Sequence, residues 1–153
     1  MNKINGLQAF LRSKAKEASL RQDEPEIDWN ARKQKWLNGL SGLYAVVKNW
    51  LAPLERDGAL RYLMASAKLT EECIGDYEAD MLTILIGKQR VSFYPKGTLI
   101  VGAEGRVDIR GPRGIKSLVF NEGQWQVIEK YPRPRFVPFN QVSFKHILSE
   151  IME

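Results

Sequence analysis

Two stretches of the chain concentrate the side chains that could bind a partner or an ion. The first carries five carboxylates in ten residues, at Glu71, Glu72, Asp76, Glu78 and Asp80. Carboxylates bind hard cations or oppose a basic surface. Their spacing is not that of an EF-hand, which needs ligands at alternate positions around a central glycine. We therefore predict a solvated acidic loop in which Glu71, Glu72 and Asp76 face a basic protein partner or a second copy of the chain.

The second stretch is basic and aromatic and runs from Lys130 to Phe136. Arginine forks suit phosphates and aromatic rings offer stacking faces, the combination that binds single-stranded nucleic acid. Arginines on neighbouring predicted strands extend this surface. The candidate nucleic-acid-binding residues are Lys130, Tyr131, Arg133, Arg135, Arg110 and Arg113. The signature of RNA-binding sheets is absent, so this reading depends on charge and stacking alone.

The sequence contains few residues and motifs that could form a catalytic site. Cys73 is the only cysteine and His146 the only histidine, so an intramolecular disulfide and any scheme with two histidines are excluded. We expect Cys73 to be buried in the core and His146 to lie at the surface or at an edge. There is no phosphate-binding glycine motif and no Glu-x-Lys pair of the kind found in metal-dependent nucleases. We predict no enzymatic activity, no metal and no cofactor.

Length and charge indicate one globular unit with a basic helical part. The 153 residues are 44% apolar and 27% charged, which is ordinary for a single domain. Residues 1–68 carry 12 Lys and Arg against 7 Asp and Glu, whereas residues 69–153 carry 11 of each. No apolar run approaches the ~20 residues of a membrane span. We expect a cytoplasmic protein of bacterial or phage type.

The N-terminal part reads as two helices. Residues 5–20 alternate apolar and basic positions at helical spacing, and an acidic, proline-broken linker follows. Residues 29–51 then carry Trp29, Trp36, Leu43 and Trp50 at every seventh position, which predicts one apolar stripe packed on a sheet. Asp28 is placed to cap this helix. Pro53 either ends it or starts a short second helix, since proline is tolerated in a first turn.

Two glycines interrupt the tryptophan helix. Gly39 and Gly42 each cost about 1 kcal/mol of helix propensity relative to alanine. A close approach by another backbone is the usual reason for accepting that cost, so we expect a tightly packed neighbour on this side of the helix.

From Asp80 onward the apolar residues recur at every second position, which is typical of strands. Short glycine-bearing connections, among them a predicted turn at Pro95-Lys96-Gly97, require antiparallel neighbours. The predicted strands are Met81–Ile86, Gln89–Tyr94, Thr98–Gly102, Arg106–Arg110, Ile115–Phe120 and Gln124–Lys130. Residues 59–69 fit either a helix or a strand, and we favour a strand. Residues 131–139, which contain three prolines, are expected to run extended to a last helix over 141–152, capped by Asn140 or Ser143.

These patterns predict an α+β protein: residues 1–25 form a basic amphipathic helix and acidic linker, and residues 26–153 form a single domain. In that domain N-terminal helices, one long and tryptophan-striped, pack on a six- to seven-stranded antiparallel meander closed by a short C-terminal helix. Our leading hypothesis is a non-enzymatic accessory or regulatory protein that binds another protein or itself. The first alternative is nucleic-acid binding through the basic helical half and the 130–136 segment. The second is a small-molecule cavity between helix and sheet.

Overall fold

A computed structural model describes residues 6–14, 27–98, 103–130 and 133–153. Helix α1 covers residues 6–14 and helix α2 covers Trp29–Arg56. Seven antiparallel strands follow in chain order and pair with their sequence neighbours, which confirms the predicted α+β meander. The strands are β1 Leu60–Glu71, β2 Gly75–Ile86, β3 Gln89–Gly97, β4 Gly105–Gly111, β5 Gly114–Asn121, β6 Gln124–Glu129 and β7 Arg135–Pro138. Helix α3, Gln141–Ile151, ends the fold.

One face of the sheet, here called the covered face, packs against α2 and α3. Alternate strand residues point into this layer because the side-chain period of a strand is two. The buried core comprises Trp36, Leu40, Leu43 and Val47 of α2, Leu82, Ile84, Val91, Phe93, Val107, Ile109, Leu118 and Val127 of the sheet, and Phe144, Ile147 and Ile151 of α3. The predicted tryptophan stripe is therefore core at its centre, while Trp29 and Trp50 at its ends are half-buried.

Helix α2 begins as predicted and ends later. The carboxylate of Asp28 accepts a hydrogen bond from the backbone N–H of Ala31 at 3.0 Å, which confirms the cap. Both predictions for Pro53 are wrong, because one continuous helix runs through it to Arg56. Pro53 lies within one turn of that end and removes a single backbone bond, to the carbonyl of Asn49. Asn49 is exposed, so water can satisfy that carbonyl.

The acidic segment forms a hairpin, so the prediction of a loop over residues 71–80 is wrong. Strands β1 and β2 remain paired up to Glu71 and Gly75, and Gly75 takes a positive φ of 90° at the turn. Between Leu82 and the turn, no third strand pairs with this two-stranded arm among the described residues. Such ribbons twist strongly. Cys73 sits in the turn and is exposed, which corrects the expectation that it is buried.

Strand β1 confirms the choice of a strand for residues 59–69, but the predicted turn at Pro95-Lys96-Gly97 is wrong. These residues extend β3, where the register shifts between Pro95 and Gly97. A bulge accommodates proline because it leaves one residue unpaired, and Gly97 supplies a φ of 118°. Thr98 lies outside the strand, which contradicts the predicted strand start, and the rest of that prediction, at 99–102, falls outside the described residues.

The last segment closes the sheet and returns to the helix layer. Strand β7 is an edge strand, where the prolines of this segment are tolerated because fewer backbone N–H groups must pair. Asn140 caps α3 and accepts a hydrogen bond from the N–H of Ser143 at 2.9 Å. The hydroxyl oxygen of Ser143 in turn accepts a hydrogen bond from the backbone N–H of Asn140 at 2.8 Å. The two residues therefore form a capping box rather than alternative caps.

The contact between Gly105 and Trp36 gives a test of the core. A Cβ atom on Gly105 would lie 2.1 Å from the Trp36 ring, whereas one on Gly114, also in the sheet, would lie 3.9 Å from its nearest neighbour, on Ile151. We expect Gly105→Ala to lower the free energy of unfolding by about 1–3 kcal/mol through overpacking. Urea denaturation measures this, with Gly114→Ala as the matched control. Equal midpoints for the two variants would contradict the assignment of Trp36 to this contact.

Candidate binding surfaces

Glu71, the first of the predicted partner-binding residues, is buried and has protein partners. Its side chain is 7% exposed. One carboxylate oxygen accepts hydrogen bonds from the backbone N–H and the hydroxyl of Thr98, both at 2.7 Å, and the other accepts one from Tyr77. Glu71 therefore fastens the arm to the end of β3. Glu72 and Asp76 remain exposed, so the hypothesis of a basic protein partner stays a prediction for these two carboxylates.

The face of the sheet opposite the covered face, here called the open face, carries a polar network. Asp108 is only 6% exposed and accepts hydrogen bonds from Arg106 at 2.9 Å and from Ser117 at 2.8 Å. The ion pair with Arg106 neutralises Asp108 locally. Thr83 and Ser92 are joined by a 2.8 Å hydroxyl bond on the neighbouring strands.

Beside this network lies a cationic cleft of about 390 Å³. Its lining combines three cationic side chains, two hydroxyls and one aromatic ring and includes no carboxylate. The lining is Met81, Thr83, Lys88, Gln89, Arg90, Ser92, Tyr94, Arg110, Gly111 and Pro112. Within the described ranges, Lys88, Arg90 and Arg110 form no ion pair.

Arg110 is the most constrained cation of the cleft. Its guanidinium carbon lies 4.3 Å from the centroid of the Tyr94 ring, within cation–π range. Its Nε is buried and has no hydrogen-bond partner in the part of the chain that the structure describes. The contact places the guanidinium beside the Tyr94 ring. A planar guanidinium can stack with an aromatic base or bind a phosphate.

The structure separates the predicted nucleic-acid-binding residues. Arg110 lies in the cleft, and Arg113 is in the turn that joins its strand to β5. Lys130 lines a second hollow with Ile115 and Ser117, further across the same face.

The remaining basic residues lie at the β7 edge. Arg135 is exposed and pairs with Glu129 at 2.7 Å, and Arg133 is exposed. Tyr131 is outside the described residues. Proximity to the cleft therefore favours Arg110 and Arg113 over Arg135.

A larger groove of about 940 Å³ lies on the helix side, between α2 and the turn of β5 and β6. Phe120, Trp125 and Phe139 supply its aromatic surface, and Gly39 and Gly42 leave the flank of α2 bare. Trp125 donates its indole N–H to the carbonyl of Gly39 at 3.1 Å, which fixes one wall. The volume is within the range of small-molecule sites, so the cavity hypothesis also stays a prediction.

Sequence reasoning missed Lys88, Arg90 and Tyr94, although the signal was present. Val91 and Phe93 define the covered face of β3, so the alternate residues Arg90 and Tyr94 must lie on the other face. The sequence indicated the groove beside α2 only weakly, through the two helix glycines Gly39 and Gly42. His146 is exposed, as expected. Among the described residues, no group of three His, Cys, Asp or Glu side chains could hold a metal ion.

No protein-family model, curated protein or solved structure matches this chain. Within the described ranges, no helix combines the length and apolarity needed to cross a bilayer.

The burial of Glu71 gives a first test of these surfaces. Glu71→Gln removes the charge that accepts the bonds from Thr98 and Tyr77, and hydrogen bonds to charged groups contribute about 1.5–3 kcal/mol. We therefore expect Glu71→Gln to lower the free energy of unfolding by about 1.5–3 kcal/mol. The exposed neighbour Glu72→Gln should stay within about 0.5 kcal/mol of the parent protein. A Glu71→Gln protein as stable as its control would mean that the carboxylate is dispensable to the fold.

The buried phenols predict how stability depends on alkaline pH. Burial raises the pKa of Tyr44 well above its usual value of 10.0, and its hydroxyl donates to the carbonyl of Asp80 at 2.6 Å. The neutral phenol therefore stabilises the fold fully below about pH 10, and this contribution falls as the pH rises towards the folded pKa. Between about pH 9 and 11 the parent protein should lose stability more steeply than Tyr44→Phe. Parallel pH profiles in urea denaturation would contradict this.

Proposed function

We propose that this protein binds single-stranded nucleic acid in the cationic cleft on the open face of its sheet. The observation that carries the proposal is the composition of the cleft: Lys88, Arg90 and Arg110 line it without a carboxylate or an ion-pair partner among the described residues. Cationic side chains without counter-charges attract a polyanion, because bound phosphates release counterions from the nucleic acid.

The electrostatics of the surrounding sheet support this choice. Asp108, the carboxylate on the adjacent strand, is neutralised by Arg106 and buried. Arg113 in the neighbouring turn adds a further cation. Glu153, whose backbone is hydrogen-bonded to the lining residue Gln89, places a carboxylate near the cleft. Four cations, Lys88, Arg90, Arg110 and Arg113, lie in or beside the cleft, and such a cluster raises the association rate for an anionic ligand.

The stacked pair of Tyr94 and Arg110 supports a single strand rather than a duplex. Unpaired bases stack on arginine planes and aromatic rings, whereas the bases of a duplex are stacked on each other. Arg110 and Tyr94 bring a guanidinium and an aromatic ring together in the lining of the cleft. The hydroxyls of Thr83 and Ser92 line the same cleft and can hydrogen-bond to phosphate or sugar.

Fluorescence anisotropy with a labelled single-stranded oligonucleotide tests the proposal. The triple variant Lys88→Gln, Arg90→Gln and Arg110→Gln should weaken binding by about tenfold or more at low salt. It should also reduce the slope of log affinity against log salt by about 2, since each phosphate contact contributes about 0.7 for single strands. A duplex of the same sequence should bind more weakly than the single strand.

A variant of equal charge change serves as the control. Lys130→Gln, Arg133→Gln and Arg135→Gln remove the same three charges from the 130–136 segment. We expect this protein to retain most of its affinity. Equal losses in the two triple variants would indicate diffuse attraction to net charge, and absent or salt-insensitive binding by the parent protein would reject the proposal.

A further inference from the structure

The groove beside α2 contains a glycine that its present neighbours do not explain. Gly39 is required, because a Cβ atom there would lie 2.9 Å from the Phe120 ring. A Cβ atom on Gly42 would meet nothing within 4 Å, although Gly42 lowers helix propensity in the middle of a long helix. A glycine that faces open space in a groove is explained when another backbone comes close to it.

Helix α1 carries an apolar surface that is more than half exposed. Leu7, Phe10 and Leu11 lie on one side of α1 and are 58%, 58% and 55% exposed. A helix whose apolar side faces water is stabilised when that side packs elsewhere. We infer that the groove is the binding site of α1 from the same chain, with Leu7, Phe10 and Leu11 against Phe120, Trp125 and Val46.

Chain length permits this arrangement. The groove extends from Ala31 to Val46 along α2, about 22 Å at 1.5 Å per residue, and α1 spans about 14 Å on the same measure. Thirteen residues, 15–27, connect α1 to the cap of α2. Fully extended, they reach about 43 Å. The helix can therefore fold back along α2 without a second molecule.

Charge also fits a basic helix in this groove. The cations of α2 point elsewhere or are paired: Arg32 donates to the carbonyl of Thr98, Lys33 lies over Tyr77, and Lys48 lies over Tyr62. Lys35, the one cation in the lining, pairs with Glu104 at 2.9 Å. The basic side chains of α1 therefore meet little repulsion.

Disulfide cross-linking in the full chain tests the inference. In a Cys73→Ser background, Leu11→Cys with Gly42→Cys should form an intramolecular disulfide at least about tenfold faster than Leu11→Cys with Ser66→Cys. Ser66 is exposed on β1 and serves as the distance control. Similar rates for the two pairs would overturn the inference. A disulfide that forms mainly between molecules, seen as a dimer on a non-reducing gel, would assign the groove to a second copy and also overturn it.

Thermal unfolding gives an independent readout that does not depend on cysteines. In an open groove, Gly42→Leu gains helix propensity and should raise the Tm by about 2–4 °C. With α1 bound, the new leucine side chain would occupy space in the groove that α1 needs, so the Tm should not rise. The same substitution in a Phe10→Asp background should then raise it. A rise of equal size in both backgrounds would overturn the inference. Val142→Asp, at an exposed apolar position on α3, controls for the added charge.

Discussion

The contact between the Trp36 indole and the backbone of Gly105 fixes how the helix layer sits on the sheet. Trp36 is fully buried, and the first residue of β4 must lack a side chain to admit its ring. The ring also packs against Trp125 of β6, with centroids 6.0 Å apart. One side chain of α2 thus contacts two strands that are not adjacent, which sets both the position and the rotation of the helix. The bare flank at Gly42 and the buried edge at Leu40 follow from that rotation.

The same constraint determines which chemistry the sheet can expose. With α2 and α3 on one face, the alternate residues of β3 and β4 must remain on the other. That face is polar and its charges are uneven: the only carboxylate of the network, Asp108, is neutralised, while Arg90 and Arg110 remain without counter-charges in the described part of the chain. A structural role for arginine would normally include a carboxylate partner. The cation–π contact with Tyr94 fixes Arg110 in place but leaves its charge uncompensated.

The fold class could be predicted from the sequence because its helical part and its strand part show two different periods of apolar residues. The seven-residue spacing from Trp29 to Trp50 and the alternation after Asp80 each identify the buried side of an element. The arm of β1 and β2 was missed because four of its five carboxylates, Glu72, Asp76, Glu78 and Asp80, are exposed, so its composition resembles that of a loop. Glu71 was assigned to the surface for the same reason. Its burial depends on Thr98, 27 residues away, and no local pattern shows that contact.

The candidate surfaces were less accessible to sequence reasoning, since a surface is defined by strands that pair across the sheet. Arg90 and Arg110 are twenty residues apart and meet only because β3 pairs with β4 in one register. The glycines show the same limit: Gly39, Gly105 and Gly111 each lie where a Cβ atom would come within 3 Å of a neighbour, whereas Gly42 does not. Sequence shows that all four lack a side chain, but only the packing separates the three that the described fold requires from the one that it leaves unexplained. That difference directs attention to the groove rather than to the rest of the helix.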